Sequence, residues 1–241
     1  MSFALSSRAK RVGIAFTLAL MLPALTGCVY LRLLDFKNQL KSFDEHVSVL
    51  KGKELAFEFS EPIVKNSDFV FITGSQPSQI EFVDSAGYNE WWTWHFQKRP
   101  SIDSERPFRI TFRAHFQDDL LTRFEVDKAF VELFGQDFTR EILSRVGHAK
   151  INKLRRSVTI AIDSASLAKL SPPSLNEIVD LMGEPTEILD SNSPSIKSCR
   201  YEFRFYNPEN GKSAGRFSLY LIGKAENPES PIAGFSARGK A

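Results

Sequence analysis

The sequence predicts an α+β fold, with antiparallel sheets covered by short helices in two small modules, and three observations lead there. Long stretches alternate apolar and polar residues with period two, the pattern of half-buried strands. Between them lie short segments with apolar residues at intervals of three and four, opened by capping residues and closed by glycine. Phenylalanine supplies 21 of the 241 residues and aromatic residues 12%, which suits a strand-rich core. Hydrophobic residues at 42% and charged residues at 25% exclude a wholly disordered chain and a polytopic membrane protein. No repeat and no low-complexity block of note runs along the chain.

Residues 1–27 form a leader and residues 28–52 a tether, with a helical hint from Leu33, Phe36, Leu40 and Phe43. The first module covers residues 53–163. Leu55, Phe57 and Phe59 alternate with Glu54, Ala56 and Glu58, and the apolar run at residues 69–72 reads as a strand covered on both faces. Trp92, Trp94 and Phe96 share one face of the next strand, and Trp91, Thr93, His95 and Gln97 share the other. Residues 108–126 are a hairpin: Phe108, Ile110, Phe112, Ala114 and Phe116 alternate with polar residues, Asp118-Asp119 makes the turn, and Leu120 to Val126 return. Asp127 caps a short helix closed by Gly135, and Asp137 caps a second with Phe138, Ile142 and Val146 on one stripe and Gly147 past its end. Leu154, Arg156, Val158, Ile160 and Ile162 suggest a strand. Residues 164–173, rich in Ser, Ala and Pro, mark the boundary to the second module, residues 174–241. It opens with the capping box Ser174-Leu-Asn-Glu177, stops its helix at Gly183 and Pro185, and continues in strands at 199–206, 216–222 and 231–236.

At the N-terminus Arg8, Lys10 and Arg11 precede the short apolar run 12–22, followed by Pro23 and then Leu25-Thr26-Gly27-Cys28. Positive residues hold the front end on the cytoplasmic side, and a run this short enters the bilayer without settling there. The segment resembles a bacterial lipoprotein signal with its lipobox. The resemblance implies cleavage between Gly27 and Cys28 and acylation of Cys28 with diacylglycerol and a further chain such as palmitate. The alternative is an uncleaved anchor, since residues 12–31 carry no charge and are long enough to span. Val29 stands where an aspartate would retain an enteric-type lipoprotein in the inner membrane, which implies an outer-membrane protein facing the periplasm.

Removing the leader leaves 28 basic residues against 29 acidic ones, so the mature chain has none of the concentrated basic footprint that nucleic acid requires. With Cys28 acylated, Cys199 has no cysteine to pair with and reads as a buried strand residue.

The run from Ser174 to Thr186, with Met182-Gly-Glu-Pro-Thr186 at its end and Tyr201-Glu-Phe203 after a gap, resembles the SmpA/OmlA family of small outer-membrane lipoproteins. That family includes an accessory lipoprotein of the β-barrel assembly machinery. The likeness spans about residues 174–236 and implies a helix on an antiparallel sheet, with Gly183 left-handed and Tyr201 and Phe203 packed beneath the helix.

Motifs for catalysis are missing: no HExxH, Walker loop, GxGxxG or Gly-x-Ser-x-Gly occurs. His46, His95, His115 and His148 lack ligand spacing, so no metal and no cofactor beyond the covalent lipid is expected. Trp91 and His95 are the candidate contacts for a ligand or partner, because an indole on a polar sheet face can stack on sugar or protein; an edge-packed Trp91 is the competing reading. The expected function is non-enzymatic interaction or scaffolding with envelope proteins. A lipid- or glycan-binding module, with the Phe-rich sheets as an apolar floor, is the alternative.

Overall fold

The computed structural model describes residues 29–50, 55–74, 76–85, 87–99, 108–152, 157–189 and 193–240. The leader, Cys28 and the expected strand residues Leu154 and Arg156 lie outside them.

Chain alternation is the organising force. Strands β1 (Val47–Leu50), β2 (Leu55–Phe59), β3 (Gln79–Phe82), β4 (Asn89–Lys98), β5 (Arg109–Gln117), β6 (Leu120–Val126), β7 (Lys150–Asn152), β8 (Ser157–Ile162), β9 (Glu187–Leu189), β10 (Ile196–Tyr206), β11 (Ser213–Lys224) and β12 (Gly234–Lys240) join in one antiparallel sheet. Its order is β1-β2-β6-β5-β4-β10-β11-β12-β8-β7, with β3 beside β4 and β9 beside β10. Strands from both expected modules therefore share one sheet: β8 pairs with β12, and β4 pairs with β10 through Phe96↔Phe205, Gln97↔Arg204 and Lys98↔Phe203. Asp118 and Asp119 take φ of 52° and 67°, the conformation a two-residue hairpin demands, so the β5–β6 turn is where the aspartates place it.

One sheet face is apolar and carries the helices. These are α1 (residues 29–41), α2 (Phe43–His46), α3 (Asn66–Thr73), α4 (Lys128–Phe134), α5 (Gln136–Val146), α6 (Ser164–Ala168) and α7 (Leu175–Met182). Residues 29–50, expected as a tether, are part of the packed fold. Leu40 and Phe43 are buried, the Phe36 ring meets Phe59 edge-on at 5.3 Å, and β1 extends the sheet. Residues 69–72 are helical rather than extended. Asp68 accepts the Lys65 amide at 3.0 Å and Gly74 closes the helix at φ 70°, signals that decide a short apolar run which periodicity cannot. Asp137 lies inside the first turn of α5, and Gly135 occupies the capping position instead. Asp127 and Ser174 cap α4 and α7 as their sequence contexts predict. Gly183 takes φ 71° but ψ −176°, outside the left-handed helical basin, while Tyr201 and Phe203 are fully buried.

The sheet is strongly curled toward its apolar face. Phe112 on β5 and Phe217 on β11 are three strand spacings apart, about 14 Å on a flat sheet, yet their rings approach to 6.1 Å. Phe134 and Phe138 then meet Phe235 of β12 edge-on at 6.0 and 5.0 Å, drawing α4 and α5 across the concavity. Each fully buried Phe contributes roughly 2 kcal/mol through removal from water, so the aromatic lining is the main source of cohesion.

Candidate apolar ligand site

Inside the curl, between β5, β6, β11 and β12 on one side and α4 and α5 on the other, is a cavity of about 270 Å³. Sheet residues Phe112, Phe124, Val126, Phe217, Leu219, Phe235 and Ala237 line it, with Phe130, Thr139, Ile142, Leu143 and Val146 from the helices. Period two explains the floor, since Phe112 and Phe124 flank Ala114 on the core face, and Phe217 and Leu219 share that face with Ala237. On β12 the inward side chains shrink along the strand, from Phe235 to Ala237 to Gly239, and a Cβ placed on Gly239 meets nothing within 4 Å. That taper leaves the space open.

The lining offers a ligand no polar group. Thr139 carries its one hydroxyl, and that hydroxyl donates back to Gly135 O at 2.8 Å within its own helix. Water held here would find none of the two to four partners it needs, so the cavity favours an apolar guest. An apolar cavity of about 150 Å³ already takes up benzene; this one is nearly twice as large and admits a narrow hydrocarbon. Phe112, Phe124, Ile142, Leu143, Val146 and Phe217 are only half-buried, which gives the cavity a mouth. Helix α5 is fixed from outside: Arg145, aligned by Glu141 one turn earlier at 2.6 Å, bonds Asp163 at 3.2 Å and Ser166 at 3.0 Å, and Arg140 pairs with Asp44.

On the opposite, polar face the sequence candidates Trp91 and His95 are separated. Trp91 is half-buried beneath two guanidiniums, Arg113 at 4.5 Å and Arg123 at 5.8 Å from its ring, and both cations are held by buried Glu125 at 3.2 and 2.8 Å. The stacking surface of the indole is therefore occupied by Arg113. His95 is exposed, with Nδ1 3.1 Å from Thr111 Oγ1. The register sets His115 opposite Trp91 and Thr111 opposite His95, so the two histidines are not cross-strand neighbours. No group of three metal-ligating side chains occurs among the described residues.

His115 packs 4.7 Å from the Trp91 ring, with Nδ1 2.7 Å from Thr122 Oγ1 and Nε2 against Asn89 Oδ1. Burial, and then the Arg123 charge, push its pKa below the usual imidazole value. A base whose folded pKa is depressed is the less protonated in the native state, so stability rises with pH through this window and is lost on acidification below about 6.5. The expected result is a thermal midpoint that falls between pH 7.5 and 5.5 in the wild type, and falls less in His115→Gln, as followed by circular dichroism.

Two buried groups escaped sequence analysis. Lys98, on the apolar face with Trp94 and Phe96, donates from Nζ to Met182 O and Glu184 O, both at 2.6 Å, and lies 5.5 Å from the Tyr201 ring. Burial lowers its pKa and the nearby Glu184 opposes that shift. Asp68, fully buried, is held by Arg32 through two bonds of 2.8 and 2.7 Å. Cys199 is buried as expected, and desolvation raises its thiol to about 11, which leaves it protonated and unreactive.

No helix among the described residues is long and apolar enough to cross a membrane. Compared with protein-family profiles, with curated proteins and with solved structures, the chain matches none.

Proposed function

We propose that this chain is a non-catalytic lipoprotein, anchored through acylated Cys28 in the outer membrane and facing the periplasm, which holds a single hydrocarbon chain of fatty-acyl type. The observation that carries the ligand class is the lining of the cavity, apolar throughout, with its one hydroxyl satisfied inside α5. A polar or charged guest would lose its hydration without compensation there. The anchor follows from the lipobox at residues 25–28, and an anchored binder meets acyl chains at high effective concentration.

The test is lipid analysis of the unacylated mature chain, residues 28–241 with Cys28→Ser, exported to the periplasm behind a conventional cleavable signal peptide and purified as soluble protein. Mass spectrometry of the solvent extract is expected to find fatty acid or monoacyl lipid in stoichiometric amount; delipidated protein that takes up no fluorescent fatty acid would refute the ligand. Labelled palmitate is expected to enter the wild type and not Cys28→Ser, which tests the anchor separately.

A second reading, interaction with envelope proteins during assembly or maintenance, is favoured by β3. Among the described residues this strand pairs only with β4, and Ile80, Phe82 and Val83 along and just beyond it are exposed. An unpaired edge with apolar side chains suits strand addition by a partner. Cross-linking in intact cells from Phe82 is expected to capture a defined envelope protein under this reading and nothing specific without it.

A further inference from the structure

The start of α1 exposes three large apolar residues, Tyr30, Leu31 and Leu34, with Leu31 61% accessible. Beside them α3 exposes Phe71 and Ile72, and the rings of Tyr30 and Phe71 meet edge-on at 5.6 Å, so the two helices present one continuous patch. The patch is preformed: Arg32 reaches from between Leu31 and Leu33 to the buried carboxylate of Asp68 in a two-bonded pair that fixes α1 against α3. Apolar exposure then stops, because the outward residues further along α1 are Asp35, Asn38 and Lys41.

We infer that this patch docks on the bilayer, inserting Tyr30, Leu31, Leu34, Phe71 and Ile72 at the boundary between headgroups and acyl chains. The inference rests on acylation of Cys28 as proposed above. Tyr30 and Leu31 follow Cys28 by two and three residues, a backbone reach of about 7 to 11 Å at full extension. A lipid on Cys28 therefore holds them within the thickness of the interface, where amphipathic Tyr and aliphatic side chains partition favourably. Exposed to water at that position, the same side chains would form an uncovered apolar patch of the kind soluble surfaces avoid. The gradient along α1 has the matching direction: apolar residues lie next to the anchor and polar ones away from it. Docking by patch and anchor together sets the orientation of the whole globule, which acyl chains on a loose tether do not.

The acylated full-length mature protein, reconstituted on vesicles of phosphatidylethanolamine with a minority of phosphatidylglycerol, tests this with nitroxides attached at Leu34→Cys, Phe71→Cys and Asn38→Cys. Buried Cys199 takes no label. The labels at 34 and 71 are expected to be shielded from a water-soluble relaxation agent and open to oxygen, whereas the label at 38 stays aqueous. In the Cys28→Ser background, the pair Leu31→Glu and Leu34→Glu is expected to lower vesicle partitioning at least tenfold without changing the circular dichroism spectrum. Labels at 34 and 71 as aqueous as that at 38, on protein demonstrably held by its acyl chains, would overturn the inference and leave the anchor intact. Equal shielding without vesicles would overturn it in favour of a protein partner or a second copy. Absence of acyl groups from the purified wild type would overturn the anchor and this inference with it.

Discussion

Ala237→Phe is expected to weaken fatty-acid binding more than tenfold while leaving the thermal midpoint unchanged or higher. Ala237 lines the cavity from β12 and is flanked on the same face by Phe235 and by Gly239, whose inward side is open. The added ring occupies the volume that the guest requires and meets apolar neighbours in place of empty space. An unfilled apolar cavity costs about 24 cal/mol per Å³, so partial filling stabilises the fold by roughly 1 kcal/mol. Binding and stability therefore move in opposite directions. A variant that merely disturbed folding would lose both. Titration with a fluorescent fatty acid, paired with calorimetry, reads the two together. The wild type should in turn gain thermal stability with added ligand, by about 2.7 kcal/mol at a hundredfold excess over Kd, and Ala237→Phe should gain little.

Lys98→Met is expected to cost about 3 kcal/mol, or roughly 6–12 °C in Tm for a chain of this size. Methionine preserves the length and apolar stem of the side chain. It has no proton to donate, so the carbonyls of Met182 and Glu184 at the end of α7 lose their shared donor. The Met182 carbonyl, left buried and unmatched, costs about 1–3 kcal/mol; the part-buried Glu184 carbonyl adds less because water reaches it, and loss of the desolvated ammonium offsets part of the total. The negative end of the α7 dipole also loses its counter-charge. Urea denaturation of Lys98→Met beside Lys224→Met, an exposed lysine on β11, makes the comparison: the second is expected to change stability by less than about 0.5 kcal/mol. Equal stability in the two variants would mean that α7 is held by its apolar stripe alone.

Elements defined by local chemistry were legible in the sequence. The β5–β6 hairpin follows from strict alternation around two aspartates, and α7 from Ser174 and Glu177, whose reciprocal bonds of 3.2 and 2.7 Å are present. The run in α3 departs from the expected strand because four apolar residues fit a buried strand or a helix equally well, and the deciding groups, Asp68 and Gly74, lie at its edges. The cavity lay beyond local reading. The stripe of Phe138, Ile142 and Val146 and the alternation in β5 and β6 identify inward residues, but the empty space between them depends on how far the sheet curls. β12 runs from Gly234 to Lys240 rather than over the expected 231–236, and only that longer strand brings Gly239 into the inward-facing series. Lys98 did carry a signal. Period two puts it on the side of Trp92, Trp94 and Phe96, against the ordinary expectation that lysine faces water. Period two puts Trp91 on the polar face, where it lies, but the guanidinium above it comes from the next strand, in a register the sequence does not display.

The curl is governed at a narrow place. Strands β4 and β10 share three residue pairs, whereas β4 and β5 share nine and β10 and β11 eleven, so the two broad halves of the sheet meet at a short joint. A joint of three pairs resists twisting far less than a ladder of nine, and small rotations there translate into larger displacements at the far strands that wall the cavity. The room available to a guest is thus set by an angle as much as by side-chain volume. Ring contacts across the joint, Phe96 with Phe205 and Phe217 and Phe112 with Phe217, are what hold that angle.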